Sequence, residues 1–315
     1  MDPAGVLLFD ERRLLTVGEG ERGLRQSEGV FQHINNLPLV LNDVWKTTSG
    51  VLPGAVIFSE KPRPVEDSYL PVFRAGTSAA KSLSGVLGIP AISSTHQAGH
   101  LFAGVWSNPV LRRSVEDSLM SGQDQEFLAV HFSGGTSELV HVQLSKSGEV
   151  ELDVMGATAD LHAGQFVDRV GVRLGLPFPA GPHLEKLAST ASDFSQSALR
   201  LPVAVKDLEI SFSGPTTAAM RIISQNVPPA EVARAVLSCV SRTLVKWLRN
   251  ARKAAHLDRC LLVGGVMSNG YIRKELAAAL EPEGFELFFA EPKYSTDNAV
   301  GLAYYGYLLA RLGKL

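Results

Sequence analysis

Several features that define large classes of protein are scarce in this 315-residue sequence. Only two cysteines occur, Cys239 and Cys260, and both stand in apolar segments, which argues against a disulfide scaffold and predicts buried, reduced thiols. No apolar run reaches the length of a membrane span, and the first residues lack the basic and apolar regions of a signal peptide. We therefore expect a cytoplasmic protein with no membrane partner.

The net charge is also small. Lys and Arg number 30 against 32 Asp and Glu, so the formal net charge is −2 and no global basic field suggests nucleic acid, although a local patch would suffice. Hydrophobic residues make up 45% of the chain and charged residues 20%, which is typical of globular proteins. A chain of this length exceeds one ordinary core, so we expect two domains.

Strand and helix patterns alternate in the first third of the chain, which predicts parallel strands in an α/β layer. Within the first predicted helix, Ser27 is the expected N-cap and Pro38 the expected kink or break. The predicted elements are a β-hairpin at 5–18, helices at 27–46, 69–88 and 95–106, and strands at 54–59 and 89–94.

A second α/β block begins near residue 125. Residues 125–156 predict three strands in a meander, and a last helix is expected to begin with Thr296 or Asp297 as its cap. We expect domains at 1–115 and 116–315, with a cleft between them and the last helix packing back on the first domain. Between the meander and the last helix, helices are predicted at about 162–175, 182–190, 214–225 and 229–255. A strand, a glycine turn and a helix follow over 260–280, and then a strand in FELFFAEP.

Two histidines in THQAGH, His96 and His100, lie four residues apart. On a helix this spacing places both imidazoles on one face, where neutral nitrogens suit two ligands of one metal ion. Asp297, at the start of the last helix, is the candidate third ligand, because a helix N-terminus favours a carboxylate. The alternative is a pair of polar residues on a helix surface.

Two glycine turns are candidate nucleotide loops. In HFSGGTSELV, the turn from Ser133 through Gly134 and Gly135 can present backbone N–H groups to a phosphate; an ordinary hairpin turn is the alternative. In LLVGGVMSNG, a strand ends in Gly264 and Gly265 before a helix, which is how α/β domains present a loop to a nucleotide. Close packing of strand against helix is the alternative there.

Three further residues are candidates for the sugar and base of such a ligand. Asn269 can both donate to and accept from a ribose or a base. Asp168 stands in a predicted helix, where the alternative is a solvated surface carboxylate. Gly181 lies in a loop stiffened by prolines, and a fixed backbone there suits ribose binding.

Taken together, six segments resemble the tRNA threonylcarbamoyladenosine synthase family, the TsaD-like proteins once called glycoproteases. In order they are STHQAGHL, FSGGTSELV, FVDRVGVRLGLPFPAGPHLEKLA, SFSGPTTA, LLVGGVMSNGYIRKEL and YSTDNAVGLAYYG. The resemblance runs from about residue 28 to the C-terminus, and the segments before STHQAGHL look like a divergent Firmicute-type paralogue. It implies the two-domain fold of the actin, sugar-kinase and Hsp70 superfamily.

The resemblance also implies a set of site residues and ligands. One divalent metal ion, Fe2+ or Zn2+, would be held by His96, His100 and Asp297. An adenine nucleotide, ATP or an acyl-adenylate, would be the second ligand, and tRNA would be engaged with the help of partner proteins. A homodimer or heterodimer through the N-terminal domain is a further implication. The nucleotide-binding residues would be Gly134 and Gly135 in a phosphate hairpin, Asp168 and Gly181 at the ribose, and Asn269 beside the adenine.

The chain departs from the family pattern at several positions. The family opens with a strand and a Thr-Ser-Cys-Asp-like loop, for which only Asp2 is a counterpart, so the first strand is expected to be missing or truncated. The familial Ser-Gly-Gly-His-Thr is Ser-Gly-Gly-Thr-Ser here, and a familial lysine is Thr216. Of the familial Asp-Asp-Ala-Ala-Gly-Glu, Asp160 remains as the candidate catalytic carboxylate, while Gln165 replaces the glutamate.

Two hypotheses of function follow. The first is metal-dependent transfer of a threonylcarbamoyl group from its adenylate to an adenine of tRNA. The second is a catalytically weak or inactive paralogue that acts as a nucleotide- and metal-binding partner of a TsaD-type protein. A peptidase is disfavoured, because the chain has neither a Gly-x-Ser-x-Gly elbow nor an HExxH motif.

Overall fold

A computed structural model describes residues 1–16, 24–191 and 199–315. Contacts divide the chain into two compact units. The first comprises Met1–Gln125, Ser145–Glu149 and Asp297–Leu315, and the second comprises Glu126–Leu144 and Val150–Thr296. The domain boundaries and the cleft expected from the sequence stay predictions. Among the described helices, none combines the length and the apolarity needed to cross a membrane.

The first unit is built on a short parallel sheet. Strands β1 (Val56–Lys61) and β2 (Ala91–Thr95) pair in parallel, with Val56 opposite Ala91. Helix α2 (Phe73–Leu87) connects them, as a parallel pair requires, and packs on β1. The remaining helices of this unit are α1 (Gln26–Thr47), α3 (His96–Ser107), α4 (Pro109–Met120) and α10 (Val300–Arg311).

The predicted hairpin at 5–18 is wrong within the described residues. Residues 6–16 belong to no strand. Instead, the Gln32 side chain of α1 exchanges two hydrogen bonds with the backbone of Thr16, and Arg13 pairs with Asp43 at 2.7 Å. A helix side chain thus satisfies backbone groups that a partner strand would otherwise satisfy. Residues 17 and 18 of the predicted hairpin lie outside the described residues.

Helix α1 also differs from the prediction at Ser27, the expected N-cap, and at Pro38, the expected kink or break. The N-cap position is Arg25, which makes no side-chain capping bond, and Ser27 lies inside the first turn. The helix runs through Pro38 without ending there. The break expected at the proline is therefore absent, and the helix is one continuous 22-residue element.

The second unit contains a mixed seven-stranded sheet. Its strand order is β6-β7-β5-β4-β3-β8-β9, so the predicted meander forms its middle. The pairs β3–β8, β8–β9 and β5–β7 are parallel, whereas β4–β5 and β6–β7 are antiparallel. The strands are β3 (Gln125–Phe132), β4 (Ser137–Leu144), β5 (Val150–Thr158), β6 (Ala204–Lys206), β7 (Glu209–Ser211), β8 (Arg259–Val263) and β9 (Glu286–Phe289).

The core of this unit lies around its longest helix. This helix, α8, buries Trp247 completely, and the indole N–H donates to the Leu208 carbonyl. Both cysteines are buried, as predicted, and burial raises the pKa of the Cys239 thiol to about 11. The helices of the unit are α5 (Ala163–Arg173), α6 (Gly181–Ala188), α7 (Ser213–Ile223), α8 (Pro229–Ala255) and α9 (Gly270–Leu280).

Candidate metal centre and nucleotide loops

Three potential metal ligands converge in the first unit. The Nε2 atoms of His96 and His100 lie 3.2 Å apart, and Asp297 Oδ1 lies 3.4 Å from the first and 3.1 Å from the second. The His100 side chain is buried, with 5% exposed, whereas that of Asp297 is 84% exposed. The trio therefore has a fixed inner side and an outer side open to solvent.

Local sequence explains how α3 presents both histidines. Strand β2 ends at Thr95 and the helix begins at the next residue, with the Thr95 hydroxyl accepting the Ala98 N–H at 3.1 Å. This N-cap fixes the first turn, so His96 and His100 leave the same face one turn apart. The rings of Phe73 and His96 pack in a T-shaped arrangement with centroids 5.8 Å apart.

Close packing of α10 on α3 brings Asp297 to this face. A Cβ built on Gly301 would lie 1.9 Å from the Gly99 carbonyl oxygen and 2.4 Å from the Ala103 nitrogen, so only glycine permits this approach. Phe102 and Tyr305 stack across the same pair of helices with ring centroids 4.7 Å apart. Asp297 precedes α10 by one short turn and shares its placement.

The expected cap of the last helix is wrong in detail. The helix begins at Val300, and the Asn298 side chain, not Thr296 or Asp297, accepts the N–H groups of Val300 and Gly301. The Asp297 carboxylate therefore does not cap the helix and contacts the two histidines instead. Hydrogen bonds from His100 and then His96 hold the pKa of the Asp297 carboxyl well below its usual range, so it stays an anion.

The donor set fits a divalent metal ion. Ligand atoms about 2.0–2.2 Å from one ion are separated by about 2.8–3.6 Å at octahedral or tetrahedral angles. The three measured separations fall in that range, so one point can lie at bonding distance from all three atoms. Two imidazole nitrogens and a carboxylate oxygen are a donor set that suits Fe2+ or Zn2+. No other described group of three or more such side chains meets the same criterion.

The glycine turn of the second unit is partly occupied by its own bonds. The Ser133 N–H donates to the Thr136 carbonyl at 2.8 Å, and the Gly135 N–H donates to the Ser133 hydroxyl at 3.3 Å. A Cβ on Gly134 or Gly135 would meet nothing within 4 Å, so both glycines border open space. The turn has room for a ligand but fewer available donors than the sequence pattern implied.

The two glycines after β8 have different roles. Gly264 has φ +98°, and a Cβ there would lie 2.2 Å from the Phe132 carbonyl oxygen, so packing alone requires a glycine. Gly265 borders open space. The side-chain oxygen of the buried Asn269 accepts the Ile272 N–H and caps α9, which leaves its Nδ2 group to contact a ligand.

Asp168 and Gly181 are close together in the structure. Asp168 Oδ1 accepts the Ala180 N–H at 2.7 Å, which ties α5 to the start of α6. Burial raises the pKa of Asp168 although this hydrogen bond lowers it. Gly181 is the first residue of α6 and not a loop residue, and a Cβ there would meet nothing within 4 Å.

Asp160 has a structural role. Its carboxylate accepts the hydroxyl of Ser211 and the N–H groups of Leu161 and Phe212. Burial raises the pKa of Asp160, but these hydrogen bonds outweigh it and bring the pKa to about 2. Such a carboxylate is a weak base at neutral pH, so the geometry favours a role in fixing the start of α7.

Sequence reasoning missed two residues beside these loops. The Glu185 carboxylate accepts the N–H groups of Gly270 and Tyr271 at the start of α9, which holds α6 against the Asn269 turn. Gly164 supports the other turn, since a Cβ there would lie 2.6 Å from the Ser133 carbonyl. A helix-start glycine and a mid-helix glutamate carry no local signal for such contacts.

Comparisons with known proteins point to one family. The family model described as tRNA N6-adenosine threonylcarbamoyltransferase matches residues 71–304. A protein of that name from Symbiobacterium thermophilum is 33% identical over 76% of this chain, and the match spans 66% of that relative. A protein of that name from Thermosipho melanesiensis is 30% identical over 88% of this chain and 80% of its own length.

Two solved structures have a similar fold. Full-length HypF in a phosphate- and nucleotide-bound form aligns with a TM-score of 0.57 at 14% identity, over 87% of this chain and 41% of the HypF chain. HypF of T. kodakarensis aligns with a TM-score of 0.59 at 13% identity, over 86% of this chain and 43% of its own. These structures confirm the predicted α/β fold class. By its family match and its relatives, the chain belongs to the tRNA N6-adenosine threonylcarbamoyltransferase (TsaD) family.

Proposed function

We propose that this chain transfers a threonylcarbamoyl group from its adenylate to the exocyclic amine of an adenine in tRNA. The observation that carries the proposal is the convergence of His96, His100 and Asp297 on one point. A bound divalent ion, Fe2+ or Zn2+, would supply Lewis-acid polarisation of the carbamoyl carbonyl. In the transfer, a bond forms from the amine nitrogen to the carbamoyl carbon. The bond from that carbon to the phosphate oxygen breaks, AMP leaves, and the amine releases a proton.

The protein's own groups would hold the reactants. In this proposal Gly134 and Gly135 admit the phosphate, Gly181 and Asp168 border the ribose, and the Asn269 Nδ2 group donates to the adenine. Support comes from the open space at the three glycines and from the bond that ties Asp168 to Ala180. In this proposal the second unit contributes mainly by positioning the adenylate, and none of these residues acts as a base.

The second candidate function is a catalytically weak or inactive paralogue that binds metal and nucleotide beside a TsaD-type protein. Two observations favour it. The Asp160 carboxylate is occupied by the Ser211 hydroxyl and by the Phe212 N–H at the start of α7. The Thr216 hydroxyl, at the position of the familial lysine, is buried and donates to the Phe212 carbonyl at 2.7 Å.

The experiment incubates metal-loaded protein with threonylcarbamoyl-adenylate and an unmodified tRNA transcript. Mass spectrometry of the digested tRNA then measures the modified adenosine. We expect product with the unaltered chain and with His183→Ala, an exposed control on α6, and at least a hundredfold less with His100→Ala. Product that is equal in all three would contradict the metal role. Binding of metal and ATP without product would favour the second candidate.

A further inference from the structure

Helices α5 and α6 of the second unit present three exposed cations. Arg169 and Arg173 lie on α5, and Lys186 lies on α6. Among the described residues, none of the three forms an ion pair, whereas Arg249 pairs with Glu283. In a chain whose formal net charge is −2, these helices therefore carry a local concentration of positive charge.

The cations face solvent because the opposite sides of both helices are buried. Phe166 on α5 and Leu184 on α6 are completely buried in the core of the second unit. Arg169 and Arg173 are four residues apart, so they share the outer side of α5. The two helices pack on each other, and their outer sides therefore adjoin.

The acidic residues of this segment do not neutralise the cations. Residues 168–186 contain two carboxylates, those of Asp168 and Glu185. Asp168 Oδ1 accepts the Ala180 N–H at 2.7 Å, and Glu185 Oε1 accepts the Gly270 N–H at 2.7 Å. Both carboxylates are thus engaged by the backbone of the protein, and the positive charge on the outer side remains available to a ligand.

An exposed aromatic ring lies in the loop that joins the two helices. Phe178 is 68% exposed and stands between Pro177 and Pro179. The two prolines restrict the backbone on either side of it, so little conformational entropy is lost when a ligand contacts the ring. An exposed phenyl ring beside cations can stack on an unpaired nucleobase while the cations contact phosphates.

We propose that this surface binds tRNA, with phosphates on the three cations and an unpaired base stacked on Phe178. We name it the basic face; it consists of Arg169, Arg173, Phe178 and Lys186. The proposal rests on the proposed function, because it takes tRNA as the substrate. It adds the surface on which this chain holds the RNA and the kind of RNA segment that fits, one with an unstacked base.

The basic face adjoins the residues proposed to border the ribose of the adenylate. Arg169 follows Asp168 directly, and Gly181 begins the helix that carries Lys186. The hydrogen bond from Ala180 to Asp168 holds the two helix ends together. RNA on this surface would therefore lie beside the bound adenylate, which is the proximity that group transfer requires.

The test measures tRNA binding without adenylate, so its result does not depend on group transfer. The dissociation constant of a labelled, unmodified tRNA transcript is measured by fluorescence anisotropy at about 50–200 mM KCl. The triple variant Arg169→Ala, Arg173→Ala, Lys186→Ala should bind at least tenfold more weakly. The slope of log affinity against log salt should become shallower by about 2–3, because each lost phosphate contact removes about 0.7–0.9.

The matched control removes the same charge from other exposed positions. The variant Lys146→Ala, Lys206→Ala, Lys253→Ala should keep the affinity and the salt dependence of the unaltered chain. Circular dichroism should show the same helix signal for both triple variants, because all six side chains are exposed.

Phe178 tests the stacking contact separately from charge. Phe178→Ala should weaken tRNA binding about fivefold to a hundredfold, the loss expected for one stacked base, with an unchanged salt slope. Phe178→Trp should keep the affinity. On a blunt RNA duplex, which offers no unstacked base, Phe178→Ala should have no effect.

Four results would overturn the inference. They are an unaltered chain that does not bind tRNA, equal salt slopes in the two triple variants, unchanged tRNA binding by Phe178→Ala, and polyglutamate displacing tRNA as well as RNA does. The last would indicate an acidic protein as the partner. Binding as expected without product would contradict the proposed function alone. Equal product from the unaltered chain and the triple variant, with equal binding, would contradict this inference alone.

Discussion

The candidate site of the first unit is built from side chains, whereas that of the second unit is built from backbone. In the first unit, three side chains meet at one point, and close backbone packing of α10 on α3 holds them there. In the second, the candidate loops are glycines that border open space, and the site is defined by backbone and by room for a ligand. A side-chain site depends on its elements being packed tightly, whereas a backbone site depends on space remaining free.

Glycine shows the difference most clearly. Gly301 and Gly264 would each place a Cβ within about 2 Å of a backbone oxygen, at 1.9 and 2.2 Å, so both are needed for packing. Gly135, Gly181 and Gly265 would place theirs in open space. The same residue type therefore supports the fold at some positions and gives access to a ligand at others.

The largest effect is expected for Gly301→Ala. The added methyl group would push α10 away from Gly99, so we expect a loss of about 3 kcal/mol in the free energy of unfolding. Asp297 would move with the helix, and metal affinity should fall as well. Urea unfolding and metal titration measure the two changes.

Gly85→Ala on α2 is the matched control, because a Cβ there meets nothing within 4 Å. This change should raise the free energy of unfolding by about 0.5–1 kcal/mol, since alanine is the better helix former. If Gly301→Ala behaved like Gly85→Ala, the packing account of the metal centre would be wrong.

The pair Gly264→Ala and Gly135→Val separates packing from access in the second unit. Gly264→Ala adds a clash with Phe132 at a positive φ and should cost about 2 kcal/mol. Gly135→Val should change the free energy of unfolding by less than about 0.5 kcal/mol while weakening ATP binding at least tenfold. Calorimetry with ATP and urea unfolding separate the two outcomes, and equal losses of stability would contradict the distinction.

A smaller effect is expected for Asp160→Asn, which weakens the bonds at the start of α7 and should cost about 1–2 kcal/mol at neutral pH. Because the folded pKa of Asp160 is depressed from 3.8 to about 2, its contribution is present above about pH 4 and is lost as pH falls through 2. The difference in stability between the unaltered chain and the variant should therefore shrink over that interval. Asp153→Asn, an exposed site on β5, should show no such trend.

Sequence patterns identified most long elements because their signals are local. The helix predicted at 229–255 coincides with α8, and the strand meander at 125–156 forms the middle of the large sheet. Helix α4 was missed although Asn108 followed by Pro109 is a recognisable helix start. The strands β6 and β7 have three residues each and depend on pairing with β5, which no local pattern reveals.

The candidate metal centre shows the same limit. Local spacing was enough to pair His96 with His100, because one helix carries both. Asp297 lies 197 residues from His100 along the chain, and the sequence offered it only as a carboxylate at a helix start, which the family resemblance then supported. The contact that places it, Gly301 against Gly99, is a backbone approach between distant segments. Such an approach becomes visible only in three dimensions.

Metal content tests the central claim most directly. The unaltered protein and His100→Ala are loaded with Fe2+ or Zn2+ at neutral pH, dialysed and measured by elemental mass spectrometry. We expect one ion per chain in the unaltered protein and at most about a tenth of that in His100→Ala, with the helix signal in circular dichroism unchanged for the metal-free forms. Because imidazole ligates only when neutral, the bound fraction should fall as the pH is lowered. No ion in the unaltered protein, or an equal content in His100→Ala, would contradict the account.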